Sequence, residues 1–388
     1  MSLKFLKRFG TQLTLGFFVL LSLLLRISLF SHESEDYQYY LQHWMQFIRS
    51  RSWIADIRGD YTNYTPAYSY LLTFMNGLLP NASSLSTIKI LSISFDYVGA
   101  FLVHEMVRLK HLQGPLPAIA AIVFLFAPTL VLNSAYWGQC DGIYTALLLA
   151  AVYWAMRGRH AGAAAFLGLA IAFKLQGVFL LPLFAVLLVR GAMRWQTSFI
   201  VPGAFILLSL PAILAGRPAW DTFAVYLAQS KTYEAINMNA PNLSRWFPNT
   251  AGALWAQGAI LLAVILTGAL VLGLGRRPLS LHVGNILALG LLSVILVPFL
   301  LPKMHERYFY PADALSIAYA FHFPKRFWVA VVVTLASLFS YFPYLFHSEP
   351  VSLKWLAISL GAVILTLLQQ LKAASQPSPD SPGHFQLP

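Results

Sequence analysis

Leu281–Leu300 reads LHVGNILALGLLSVILVPFL and runs directly into LPKMHERYFYPADAL at 301–315. The first stretch has no Asp, Glu, Lys or Arg. At about 1.5 Å of rise per helical residue, its length matches the roughly 30 Å hydrocarbon core of a bilayer. The second stretch crowds Lys303, His305, Glu306 and Arg307 between Pro302 and Pro311. The pair predicts a membrane helix that ends on a charged loop, and the same alternation recurs along the chain.

Of 388 residues, 58% are hydrophobic and 10% charged. Soluble domains carry about a quarter charged residues, so most of this surface is built to face lipid. The expected fold class is all-α, a polytopic integral membrane protein. The net charge of +12 would suggest nucleic acid in a soluble chain. Here the basic residues sit in short loops between apolar runs, the pattern that sets membrane orientation, and no nucleic-acid partner is expected. One cysteine, Cys140, excludes an intrachain disulfide. No HExxH, P-loop or Gly-rich dinucleotide fingerprint occurs, so a soluble nucleotide substrate has no recognisable seat.

Positive charge at Lys4, Lys7 and Arg8 places the N-terminus inside, and Thr11 to Phe30 is long enough to be a retained first span. An outer segment, residues 32–80, follows. The spacing of Tyr40, Trp44, Phe47 and Ile48 predicts an amphipathic helix on the bilayer interface. TPAYSYLLTFMNGLLP is short for a span and reads as a helix that dips into the membrane. With Leu85 to Leu109 as the second span, the basic loops RLKH, RGRH, RGAMR, GRRP and PKRF all fall inside. Ala161 to Arg190 keeps both its flanking basic loops inside only as two short helices broken near FKLQG, as helices lining a cavity can be. The count is about twelve membrane segments in one domain, residues 1–372, with both ends cytoplasmic. The Pro/Ser-rich tail, 373–388, is expected to be disordered.

With topology set by charge, the polar clusters fall on the outer face. They are SHESEDY (Glu33, Glu35, Asp36), GDYTNYTP (Asp60, Tyr64), NSAYWGQCDG (Trp137, Gln139, Asp141), FKLQG (Lys174, Gln176), TYEAINMNAPNLSRW (Glu234, Asn237, Asn239, Asn242, Arg245) and KMHER. Polar groups at the hydrocarbon boundary are costly unless they face water or one another, which implies a wet pocket there. A first-loop carboxylate is a candidate general base for a hydroxyl acceptor, although a lone loop carboxylate is more often just solvated. Lys303, His305 and Arg307 suit a phosphate, with Glu306 beside them; interfacial snorkelling is the alternative. Lys174 inside an apolar run calls for an anionic partner or ligand. Asp141 near a helix start could simply cap it, and NMNAPN could be a plain turn. Arg26 and Asp96 lie inside spans, where pairing with each other or with polar neighbours is the expected structural role.

In order and spacing, SEDYQYYLQHWMQFI, NYTPAYSYLL, YWGQCDGIYTALLL, FKLQGVFLLPL, NAPNLSRWFP and KMHERYFYPADAL resemble the GT-C superfamily of polyprenyl-phosphate-sugar-dependent glycosyltransferases. Within it, the chain is most similar to a bacterial branch resembling the GPI-anchor second mannosyltransferase, over roughly residues 10 to 325. The resemblance implies a GT-C fold in a bacterial cytoplasmic membrane, a polyprenyl-phosphate-linked sugar donor, a lipid-anchored or glycan acceptor, and inverting transfer of a hexose, mannose by analogy, on the extracytoplasmic face. It implies Asp36 as base, with Glu35 as the rival, and His305 and Arg307 at the donor phosphate. No cofactor is expected, because cations can neutralise the leaving phosphate; Asp36 and Asp60 could hold a divalent metal if they converged. A lipid or solute transporter or flippase is the competing class, favoured by broken helices and buried charge.

Overall fold

The fold is that of a computed structural model, which describes residues 3–231, 235–250 and 252–375. It is a helical bundle. Helix α1 (Leu3–Ile27) leads to a π-turn at Tyr37–Leu41 and to α2 (Gln42–Ser50), α3 (Trp53–Arg58) and α4 (Pro66–Leu78). Then come α5 (Ser84–Arg108), α6 (Leu116–Leu125), α7 (Pro128–Val131), a second π-turn at Leu132–Trp137, α8 (Asp141–Met156) and α9 (His160–Phe173). The chain continues through α10 (Leu181–Val189), α11 (Ile200–Leu214), α12 (Ala219–Lys231), β1 (Asn237–Met238) and α13 (Gly252–Gly275). It closes with α14 (Val283–Leu300), β2 (Met304–His305), α15 (Tyr310–His322), α16 (Trp328–Leu345) and α17 (Leu353–Ala373).

Among the described residues, six helices are long and apolar enough to cross a membrane, or seven if the bent pair Leu116–Leu125 and Pro128–Trp137 is one span. Gln12–Ile27, Asp141–Met156, His160–Phe173 and Leu175–Val189 are apolar but shorter. The twelve predicted segments therefore do not all appear as continuous helices of spanning length. Short helices are tolerable here because α8 and α9 are packed within protein, where neighbouring groups satisfy their broken ends. The break near FKLQG lies at Lys174, whose extended backbone separates α9 from a 3₁₀ turn at Leu175–Leu180. The tail from 376 onward lies outside the described residues, as does Glu234.

Helix α14 occupies the centre, with almost every side chain from Gly284 to Leu296 buried. The equally apolar α13 stays mostly exposed. Arg26 and Asp96, both fully buried, form a 3.0 Å ion pair across α1 and α5. Ser134 Oγ (2.6 Å) and Tyr310 Oη (3.3 Å) also donate to Asp96, while Arg26 Nη1 donates to the Leu125 carbonyl at 2.9 Å. A buried charge pair is costly unless its other donors and acceptors are met; these bonds meet most of them, leave Arg26 Nη2 without a partner, and tie α1, α5, α6, the second π-turn and α15 together.

One feature of the first outer segment differs from expectation. The apolar face of α2 packs on protein: Trp44, Met45 and Ile48 are buried against α4 and α5. The exposed apolar residues that could meet the interface are Tyr39, Tyr40, Trp53 and Ile54. Helix α4, as its sequence length indicated, is too short to span, and it buries Tyr68 and Leu72. At the opposite end of α5 the basic loops meet in pairs. Lys110 donates to the His322 carbonyl, and Arg190 to that of Arg277.

Candidate active site

The site is assembled where α1 ends. Lys89 on α5 donates to the carbonyls of Leu29 (2.8 Å), Phe30 (3.2 Å) and His32 (2.6 Å), pinning the chain as it leaves α1. His32 stacks on Tyr136 at 3.6 Å, and Ser34 Oγ donates to the Trp137 carbonyl at 2.7 Å. Asp36 is thereby laid beside the second π-turn. That turn ends at Gly138, whose φ of 79° reverses the chain, so that Trp137 and Gln139 both reach back to one acceptor. Trp137 Nε1 donates to Asp36 Oδ2 at 2.9 Å and Gln139 Nε2 donates to the same oxygen. Glu35, one residue earlier, points out, half-exposed, with His347 at 4.0 Å.

Asp141 is the second anchor. It does not cap α8; its buried carboxylate pairs with Lys174, accepts from Asn133 Nδ2 at 3.0 Å, and has Arg307 Nε at 3.7 Å. The break after α9 is what allows Lys174 to turn inward, and its ammonium lies 5.4 Å from the Tyr64 ring and 5.8 Å from the Tyr144 ring. Such cation–π contacts compensate part of the cost of burying an ammonium. Gln176 sits in the following 3₁₀ turn, and its buried Oε1 closes no hydrogen bond.

Arg307 joins the two anchors. Its guanidinium lies 5.3 Å over the Trp137 ring, feels the charge of Asp36, and donates through Nη1 to Glu306 Oε1 at 2.9 Å. Burial pushes the Glu306 carboxyl up, but His305 and Arg307 outweigh it and hold that carboxyl below its ordinary value. Asp36 and the charged hairpin thus share one indole, the juxtaposition the sequence predicted from opposite ends of the chain.

The hairpin is held by the Asn-rich loop through a pairing the sequence did not reveal. β1 and β2 form a two-stranded parallel ladder with Asn237 opposite Met304 and Met238 opposite His305, and Asn239 bridges back to His305. Lys303, at φ 60°, donates its backbone N–H to the Ile236 carbonyl at 2.6 Å. Asn242 Nδ2 donates to the carbonyls of Pro298 (3.0 Å) and Leu301 (2.8 Å), capping the end of α14 where helical partners run out. Asn237 accepts from Arg245 Nη1 at 2.6 Å and donates to Ser244 Oγ at 2.8 Å. Asn237 bonds within the loop, and Asn242 ties the loop to the end of α14.

Asp60 is occupied differently, in an exposed 2.6 Å ion pair with Arg58, and does not converge with Asp36. No group of three or more His, Cys, Asp or Glu gathers in a metal-holding arrangement among the described residues. Tyr344 was not singled out by sequence, yet its ring stacks on Trp137 at 4.9 Å and its hydroxyl lies against Asp36. Lys89 and Asn133 were also missed. Lys89 carried a signal of the kind that Lys174 did, a cation inside a spanning helix, whereas Asn133 lies beside Ser134 in the second π-turn.

No curated protein matches the chain. Residues 61–302 match the family model of glycosyltransferase family 87, a span that contains Trp137, Gln139, Asp141 and Lys174 and stops short of both Asp36 and Arg307. The match covers more than half of the chain, and on it the chain belongs to glycosyltransferase family 87.

Proposed function

We propose that this glycosyltransferase moves a hexose, mannose in the first instance, from a polyprenyl-phosphate donor to a membrane-associated hydroxyl acceptor on the extracytoplasmic face, with inversion. Asp36 takes the acceptor's proton as the acceptor oxygen bonds to the anomeric carbon. The bond from that carbon to the phosphate oxygen breaks, and its electron pair leaves with the polyprenyl phosphate. Arg307 and His305 offset the charge gathering on that phosphate, work that a preorganised cation does without reorganising at the moment of reaction. Asp141, itself paired with Lys174, holds the guanidinium by its charge.

The observation that carries this reading is the shared indole: Trp137 holds Asp36 by its Nε1 and Arg307 over its ring. Purified enzyme in lipid, given radiolabelled polyprenyl-phosphate hexoses and crude membrane lipids, tests it. Label should pass to lipid with the wild type and not with Asp36→Asn. Transfer from none of the donors, or equal transfer by both proteins, would overturn the proposal.

A further inference from the structure

Asp36 and Arg307 come from opposite ends of the chain, and one helix touches the supports of both. On α16, Ser340, Tyr341 and Tyr344 follow the spacing that lines up side chains along one face of a helix. Ser340 is fully buried and donates from Oγ to the Glu306 carbonyl at 2.9 Å, the backbone group just before Arg307. The same hydroxyl is shared with the Ser337 carbonyl at 2.6 Å, which fixes its direction. The Tyr341 ring meets the Trp137 indole edge-on at 5.5 Å. Tyr344, four residues after Ser340, stacks on that indole at 4.9 Å and lays its hydroxyl against Asp36.

A tyrosine near the end of a membrane helix ordinarily anchors the helix at the lipid headgroups. Tyr344 does not fit that role, because its ring is spent on a fully buried indole. A helical backbone is stiff, and positions four apart are separated by about 6 Å of rise. Ser340 and Tyr344 therefore set the hairpin and the base against one rigid rule. Reacting groups need such a rule, since small misplacements of a base or a charge cost far more in rate than in stability.

We propose that Tyr344 and Ser340 are positioning residues for glycosyl transfer: Tyr344 orients the Asp36 carboxylate, and Ser340 holds the hairpin that carries Arg307. The inference rests on the reading of Asp36 as the base.

Steady-state transfer from a radiolabelled polyprenyl-phosphate hexose by the purified full chain in lipid tests it, with kcat and donor KM read separately. Tyr344→Phe keeps the ring and removes the hydroxyl. It should lower kcat about 10-fold while donor KM stays within about 2-fold, because the lost contact is with the base and not with the donor. Ser340→Ala should raise donor KM about 5-fold, because the donor's phosphate is anionic before transfer and meets the hairpin from the start. Val333→Ala, a change to a fully buried side chain two turns earlier on α16, should lower the melting temperature and move neither constant. Asp36→Asn is measured alongside. If it is inactive while Tyr344→Phe or Ser340→Ala keeps wild-type constants, or if Val333→Ala reproduces their changes, the positioning inference alone is overturned. If the wild type transfers from no such donor, or Asp36→Asn transfers as well as the wild type, the reading of Asp36 and this inference fall together.

Discussion

Trp137 Nε1 donates a 2.9 Å hydrogen bond to Asp36 Oδ2 across 101 positions of sequence, and the face of the same indole carries charge: Arg307 sits over it, 5.3 Å from the ring centroid. A carboxylate and a guanidinium this close would collapse into a plain ion pair if nothing stood between them. The indole, itself buried and stacked on Tyr344, keeps them near but apart. The two carboxylates of SEDY are not equivalent: Asp36 accepts from Trp137 and Gln139, whereas Glu35 is half-exposed with His347 at 4.0 Å.

Asp36→Asn should cut turnover by roughly 10²–10⁴-fold, the usual contribution of a positioned general base. Glu35→Gln, altering a half-exposed side chain, should keep wild-type turnover. Steady-state transfer with a labelled donor checks both, and the reverse ranking would move the base to Glu35.

Arg307→Lys is not conservative. A lysine cannot lie over Trp137, meet Glu306 and face Asp141 at once, because it presents a point charge where the guanidinium presents a planar fork. A loss of about 10²–10³-fold in kcat is expected, as for removal of one transition-state donor. Single-turnover transfer by variant protein of unchanged melting temperature is the measurement.

Asn242→Ala should weaken both the fold and the donor site. It strips partners from the Pro298 and Leu301 carbonyls, at a cost of about 1–3 kcal/mol for buried acceptors left unmet. Because those carbonyls end the helix that leads into the hairpin, KM for the donor should rise together with the fall in melting temperature. A rise in neither would show that the loop is held by the strand ladder alone.

Asp56, on α3 in the outer segment, is buried with Oδ1 unpartnered, and burial pushes its carboxyl from 3.8 up to about 6. Between those two values the folded state holds a proton that the unfolded state has lost, so this group's contribution makes stability fall as pH rises. Asp56→Asn removes that loss. The melting-temperature gain of the variant over wild type should be smallest near pH 4, grow through about pH 6 and then level off. A gain that is constant with pH would show that the carboxyl titrates normally.

Which polar residues gather was partly legible in sequence because membrane proteins cannot hide polar residues cheaply. Lys174 stood out inside an apolar run, and the chain does break there to turn it onto Asp141. Arg26 and Asp96 were readable as partners for the same reason. Asp60 and the Asn-rich loop looked similar in sequence, yet one is an exposed ion pair and the other a scaffold for the hairpin. Residue type cannot distinguish a ligand from a support when both must be polar. Tyr344 went unnoticed because an aromatic near a helix end in the membrane usually marks only the interface.

By itself the sequence determined that this chain is a bundle of apolar helices and which charged residues had to find partners, since both follow from the cost of charge in hydrocarbon. The tertiary structure decided which helices are central and which face lipid. α14 and α13 are alike in composition, but the first is buried and the second largely exposed. Lipid tails and a protein interior are equally apolar, so hydrophobicity does not separate the two positions; side-chain packing and the polar contacts at the helix ends do.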